Sequence, residues 1–256
     1  MIDVNVNLSR WPFRRLLNDD SARLVETLRR GGVTQAWAGT IDGLFHRDVA
    51  AANARLAQEC RRYGPGLLVP FGSVNPKLPD WREDVRRCRR EHEMPGIRLH
   101  PNYHGYKLDD AIFADVLKSA GDEGLIVQLV LRMDDARVQH PLGQVADVDP
   151  APLADVLAAG PHPPVVVLNA KRSDEAKLKK MAKLPDLYFD LAMWEGLGGV
   201  GELIATFLAE RVLFGSHLPL FPLQSSLLKL RESDLSAAQI EAVSQANAQR
   251  LLKSRD

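Results

Sequence analysis

The chain has 256 residues, 45% of them hydrophobic, and its 33 basic and 33 acidic side chains cancel to a net charge of zero. That much apolar material sustains one large core and excludes a chain disordered throughout, and the balanced charge gives no general attraction to nucleic acid or an anionic membrane. A small, locally charged ligand stays open. Cys60 and Cys88 lie in charged, helix-like stretches without metal spacing and read as reduced thiols. No window approaches 18 uninterrupted apolar residues, and the N-terminus lacks a basic stretch ahead of an apolar one, so the expectation is a soluble, cytoplasmic protein.

Short β-like runs alternate with longer helical stretches along the whole chain, the pattern of βα units on a parallel sheet. The runs fall at residues 2–7, 33–39, 67–74, 96–100, 125–132, 165–169, 187–190 and 212–217. Eight is the number that closes a barrel, so the predicted fold is α/β, a (β/α)8 TIM-type barrel forming a single domain over residues 1–256. Between the runs, residues 21–30 read as a helix that Ser21 can cap and Gly31-Gly32 ends. Residues 48–63, 81–92, 109–123, 151–159 and 174–184 read the same way, and 236–253 as the closing helix. The loops 8–20 and 133–150 follow strand C-termini, the face where such barrels keep their chemistry, and are expected to shape the pocket. In the first, Trp11-Pro12-Phe13 reads either as an aromatic wall for a ligand or as the loop's own anchor.

Residues two apart on a strand point the same way, which gathers the candidates at the barrel mouth. Asn5 and Asn7 share a face of the first run, Arg98 and His100 of the fourth, and Gln128 and Arg132 of the fifth. Asn169, Asp190 and His217 end the sixth, seventh and eighth. Polar groups at the same end of six strands point to a site, because an apolar interior there is cheaper. Tyr103 and His104, directly after the fourth run, are further candidates for the lining.

These residues resemble the amidohydrolase superfamily, in particular the amidohydrolase-related branch of metal-dependent hydrolases and decarboxylases on a distorted (β/α)8 barrel. The resemblance covers nearly the whole chain. Ile2-Asp-Val-Asn-Val-Asn7 is similar to a first strand that ends His-x-His, Gly96-Ile-Arg-Leu-His-Pro101 to the fourth and Val165-Val-Val-Leu-Asn-Ala170 to the sixth. Arg211-Val-Leu-Phe-Gly-Ser-His217-Leu-Pro is similar to the eighth, which normally ends Gly-Ser-Asp-x-Pro. Asn247-Ala248 with Arg250-Leu251-Leu252 resembles the closing helix.

Against that pattern, Asn5, Asn7 and Asn169 stand where histidine ligands are usual, and His217 where an aspartate is. Gln128 and Val130 face the position of a fifth-strand histidine. Amide oxygens are poor ligands for zinc, so the expectation is a degenerate metal site and no resident cofactor, with His100, His217 and Asp190 the only set left to a divalent ion.

The leading functional expectation is a metal-independent hydrolase of a small carboxylated lactone, amide or ester. His217 acts in it as general base, Asn5, Asn7 and Asn169 bind the polarised oxygen, and Arg98 and Arg132 hold the substrate carboxylate. His100, Gln128, Asp190, Tyr103 and His104 complete its substrate-binding set. The alternatives are a catalytically inactive barrel that binds a small anionic metabolite, and a decarboxylase-like lyase, a class the same branch contains. The expected partner is a small anionic molecule, not nucleic acid or membrane, and the resemblance implies a homodimer.

Overall fold

The computed structural model describes residues 1–253. Eight parallel strands follow the order of the sequence around one sheet: β1 (Ile2–Leu8), β2 (Gln35–Thr40), β3 (Leu68–Ser73), β4 (Gly96–Leu99), β5 (Ile126–Val130), β6 (Val165–Leu168), β7 (Leu187–Asp190) and β8 (Val212–Leu213). The ring closes on β1, where Val6 pairs with Leu218 and where Val4 N donates to Phe214 O at 2.9 Å and His217 N to Asn5 O at 2.8 Å. The (β/α)8 barrel expected from eight runs is therefore the architecture of this chain. Helices fill the connections because each carries one apolar stripe, such as Leu24, Val25 and Leu28 on the Ser21–Arg30 helix. One apolar layer lies between these helices and the sheet, and a second fills the barrel, where Trp37 stacks on Phe71 with ring centroids 4.8 Å apart.

Four local expectations are corrected. Asp20, not Ser21, caps the first helix, its carboxylate accepting from Ala22 N and Arg23 N, while Ser21 Oγ turns to Glu59. Two helices lie outside the stretches expected to be helical: Gly199–Phe207, which starts among glycines, and Leu223–Glu232, which follows Pro222. The closing helix is broken by a π-turn at Ala242–Ala246, and Val243 O there accepts from Phe214 N. For that reason regular pairing of β8 stops at Leu213 rather than reaching His217: the next backbone donor bonds to a helix.

The two long loops meet over the mouth. Arg14 Nη1 donates to Asp134 Oδ2 at 2.6 Å, and Phe13 stacks on His140 with centroids 5.4 Å apart. Trp11, Phe13 and Phe45 pack edge to face, and Phe45 leads on to Tyr103. Trp11 is buried, so of its two readings the loop anchor is the one its position matches. Among the described residues, no helix is long and apolar enough to cross a membrane.

Candidate active site

The site begins with an irregularity in β1. Its register against β2 shifts between Asp3 and Val6, and the N–H of Asn5 turns to Asp3 Oδ1 at 3.0 Å. Such a bulge re-aims the side chains beyond it. Asn5 Nδ2 then reaches across the barrel to Asn169 Oδ1 and Asp190 Oδ2, both at 2.7 Å. Asn169 N returns a hydrogen bond to Asp190 Oδ1 at 2.7 Å, so the ends of β1, β6 and β7 are tied by one carboxylate. Burial pushes that carboxyl up to about 6, against the pull of its bonds from Asn5 and Asn169.

His217 closes the group from the segment after β8. Its backbone has φ 58° and that of Asn169 φ 63°, a left-handed conformation that asparagine and histidine visit more readily than most residues but that still carries strain. The cost is met locally: His217 N is held by Asn5 O, and ring Nε2 donates to Met133 O at 2.7 Å. That bond places the ring proton on Nε2 and leaves Nδ1 as an acceptor. Asn169 Nδ2 lies 3.3 Å from Nδ1, and Asn7 Nδ2 and Asn5 Oδ1 lie 3.4 Å from it. Burial lowers the imidazole to about 4, so it is neutral around pH 7.

Beneath lies Arg98, fully buried. Its guanidinium donates to Val6 O and Asn7 Oδ1 through Nη1, to Trp37 O and Val4 O through Nη2, and to Gln128 Oε1 through Nε. Gln128 Nε2 in turn donates to Val4 O at 2.7 Å. Burial pulls the guanidinium down to about 9. Gly39 of β2 makes the room, since a Cβ there would stand 2.6 Å from Nη1. Arg132 is also committed to the protein, bonding Asp147, Asp174 and Asn169 O. The donors of both arginines, expected to hold a substrate carboxylate, are thus engaged by protein acceptors.

His100, His104 and Tyr103 stand on another side of the mouth. His104 Nε2 is 3.0 Å from Gly43 O and its ring is 6.1 Å from that of His100. Both ring nitrogens of His100 and the hydroxyl of Tyr103 are buried with no hydrogen-bond partner. Burial and the neighbouring His104 keep His100 uncharged. The structure thus brings Asn5, Asn7, Arg98, Gln128, Asn169, Asp190 and His217 into one network, with Arg132 attached to it and the His100 group beside it. Sequence reasoning missed Asp3, whose Oδ1 accepts from both Asn5 N and Ser216 N and whose carboxyl burial pushes up to about 7. The signal was there: Asp3 shares the parity of Asn5 and Asn7.

A family model described as Amidohydrolase matches residues 9–253. The chain belongs to the amidohydrolase family. Among proteins of curated function, none matches it. Solved structures similar to this amidohydrolase include 5-carboxyvanillate decarboxylase from Novosphingobium aromaticivorans with bound manganese, at 13% identity and TM-score 0.77 over 98% of this chain and 96% of that one. A dihydroxybenzoic acid decarboxylase from Polaromonas sp. JS666, also with manganese, is 15% identical with TM-score 0.74 over 100% and 97%. An uncharacterised TIM-barrel protein from Bordetella bronchiseptica is 18% identical with TM-score 0.73 over 100% and 99%. At such identities the likeness is one of fold.

The manganese in these barrels corrects the expectation of a site without a cofactor. That expectation rested on what zinc prefers, whereas manganese takes carboxylate, carbonyl and water oxygens. Among the described residues, no group of three or more His, Cys, Asp or Glu gathers at one point, so amide oxygen has to contribute. The amidohydrolase has such a set. Asn5 Oδ1 accepts no N–H and faces Nδ1 of His217 across 3.4 Å, two acceptors with no proton between them, while Nδ1 also lies near the Asn169 and Asn7 amides and Asp190 is bonded to the same asparagine. The carboxylate and amide oxygens suit a hard divalent cation such as manganese, and the amide is the donor that suits zinc poorly.

Proposed function

We propose that this amidohydrolase is a decarboxylase-like lyase that removes carbon dioxide from a small aromatic carboxylate. The observation that carries the reading is the unsatisfied half of the mouth: His100 and Tyr103 present buried polar atoms that only a bound molecule or water can satisfy. The similar barrels that have named activities act on aromatic acids, which supports that substrate class. Hydrolysis with His217 as the base is less well supported, because an imidazole held near 4 is a weak base for water at neutral pH.

In this reading Asn5 Oδ1, His217 Nδ1 and Asp190 would hold a divalent cation such as manganese, which when bound would fix the substrate carboxylate and neutralise its charge. The chain's own groups do the rest. Arg98 fixes the amide of Asn7 with its oxygen turned away from His217, so the NH2 faces the imidazole. His100 and Tyr103, both neutral, hydrogen-bond the ring substituents, and the aromatic cap of Trp11, Phe13 and Phe45 keeps water out. The bond from ring carbon to carboxylate breaks, carbon dioxide leaves, and the electron pair left on that carbon takes a proton from water.

The test is release of carbon dioxide from 5-carboxyvanillate and 2,6-dihydroxybenzoate, with and without added manganese, beside hydrolysis of lactones and esters. Carbon dioxide formed by wild type and lost in His217→Ala supports the lyase. Ester or lactone turnover with no carbon dioxide from either acid abandons it.

A further inference from the structure

We propose that an open cleft beside the cap is the vestibule through which an anionic ligand reaches the sealed amide cluster, with Lys171 as its anchor and Phe221 as its gate. The choice of ligand rests on the carboxylate reading above, whereas the route rests on geometry alone.

His217 and Asn169 are wholly buried and Asn5 and Asn7 nearly so, so some element has to move before a ligand touches them. On one side the cover is two interlocked loops: Arg14 is paired with Asp134, Phe13 is stacked on His140, and Gly143 lies so close that a Cβ there would stand 2.4 Å from the Phe13 ring. On the other side lies a cleft of about 740 Å³ formed by the segments that follow β5, β6, β7 and β8. Phe221 belongs to its wall, and the same ring packs edge-on against His217 with centroids 5.7 Å apart. One side chain thus touches both the cleft and the imidazole. Rotating it disturbs no ion pair, whereas lifting the loops breaks one and unstacks the aromatic rings.

The charges of the cleft supply the selectivity. Arg137 pairs with Asp135, Arg172 with Glu202 and Glu195 with Lys229, which leaves those groups balanced. Lys171, two residues beyond Asn169, is in no ion pair among the described residues. A half-buried lysine outside any close ion pair, its charge felt by Asp135 across the cleft, beside the apolar Met193 and Phe221, suits a molecule with one carboxylate and one flat apolar face.

The experiment follows carbethoxylation of His217 by diethyl pyrocarbonate, mapped on peptides, with buried His104 as internal reference. Phe221→Ala should speed modification of His217 by about tenfold or more while leaving His104 slow, and Arg14→Ala should leave His217 near the wild-type rate. Acceleration in Arg14→Ala and not in Phe221→Ala overturns the gate, as does equal acceleration of His104 and His217. Added 2,6-dihydroxybenzoate should protect His217 in wild type, and Lys171→Ala should abolish that protection. If the gate behaves as expected but no protection is seen in wild type, the anchor and the carboxylate reading fall while the route stands.

Discussion

The two sides of the barrel mouth are built on opposite principles. Around Asn5, Asn169, Asp190 and Arg98 most polar atoms have partners and the amides are pinned by backbone and by each other. A few residues away, His100 is just as buried and so is the hydroxyl of the half-buried Tyr103, but these polar atoms are bare. Burying an unpaired polar group costs about 1–3 kcal/mol, so the bare side is the one that binding can improve and the pinned side the one that holds the shape. A rigid wall facing an unsatisfied one is an arrangement suited to recognition.

If that division is right, the largest effect belongs to Arg98. Arg98→Leu takes a donor from the carbonyls of Val6 and Trp37 and from the amide oxygens of Asn7 and Gln128, while Val4 O keeps Gln128 Nε2, and should cost about 4 kcal/mol or more in urea unfolding. A loss below about 1 kcal/mol would mean that water replaces the guanidinium and that the pinned side is not rigid.

The next effect is in pH. Asp3 ionises in the folded protein only near 7, against 3.8 for an ordinary carboxyl, so between these values the folded state holds a proton that the unfolded chain has released. Its contribution is complete below about pH 4 and lost as pH rises toward 7. His217, lowered to about 4, works in the opposite direction, since the unfolded chain takes up its proton first as pH falls. The two partly cancel in wild type. Asp3→Asn removes one of them, and its stability should rise relative to wild type by roughly a few kcal/mol between pH 4 and 7. Parallel curves for the two proteins would place the Asp3 carboxyl in the ordinary range.

A paired substitution sharpens the contrast itself. Asn169→Leu leaves Arg132 O and Asn5 Nδ2 short of partners and should cost about 2–3 kcal/mol. His100→Leu removes only atoms that have none and should change stability by less than about 1 kcal/mol. Ligand binding should fail in His100→Leu even so. Equal costs at the two positions would erase the distinction between the walls.

Much of this was legible in the chain. Parity put Asn5 and Asn7 on one face, because a strand's period is fixed by its backbone, and the ends of the apolar runs brought Asn169 and His217 to the same end of the barrel. What the pattern could not show was where hydrogen bonds go. Arg98 looks like a substrate-binding cation in sequence, yet it bonds three main-chain carbonyls, and carbonyls are present at every residue. The state of His217 depends on Met133 O, which is 84 positions away in sequence and carries no side-chain signature. The metal expectation failed differently: it weighed the amides against what zinc prefers, whereas similar barrels hold manganese, which takes oxygen donors.

The smallest effect is expected where the cap is latched. Arg14 is 39% exposed along its side chain while Asp134 is 2% exposed, so the pair is partly screened and Arg14→Ala should cost less than about 1 kcal/mol. Asp134 keeps a donor in Asp135 N after the change, which limits the penalty of leaving a buried carboxylate. Phe13 on His140 and Trp11 against Phe45 remain, so the cap stays seated and the bare atoms of His100 stay covered. Thermal unfolding should therefore move by only a degree or two, and a drop of ten degrees would show that the ion pair, rather than the aromatic packing, holds the cap over the unsatisfied wall.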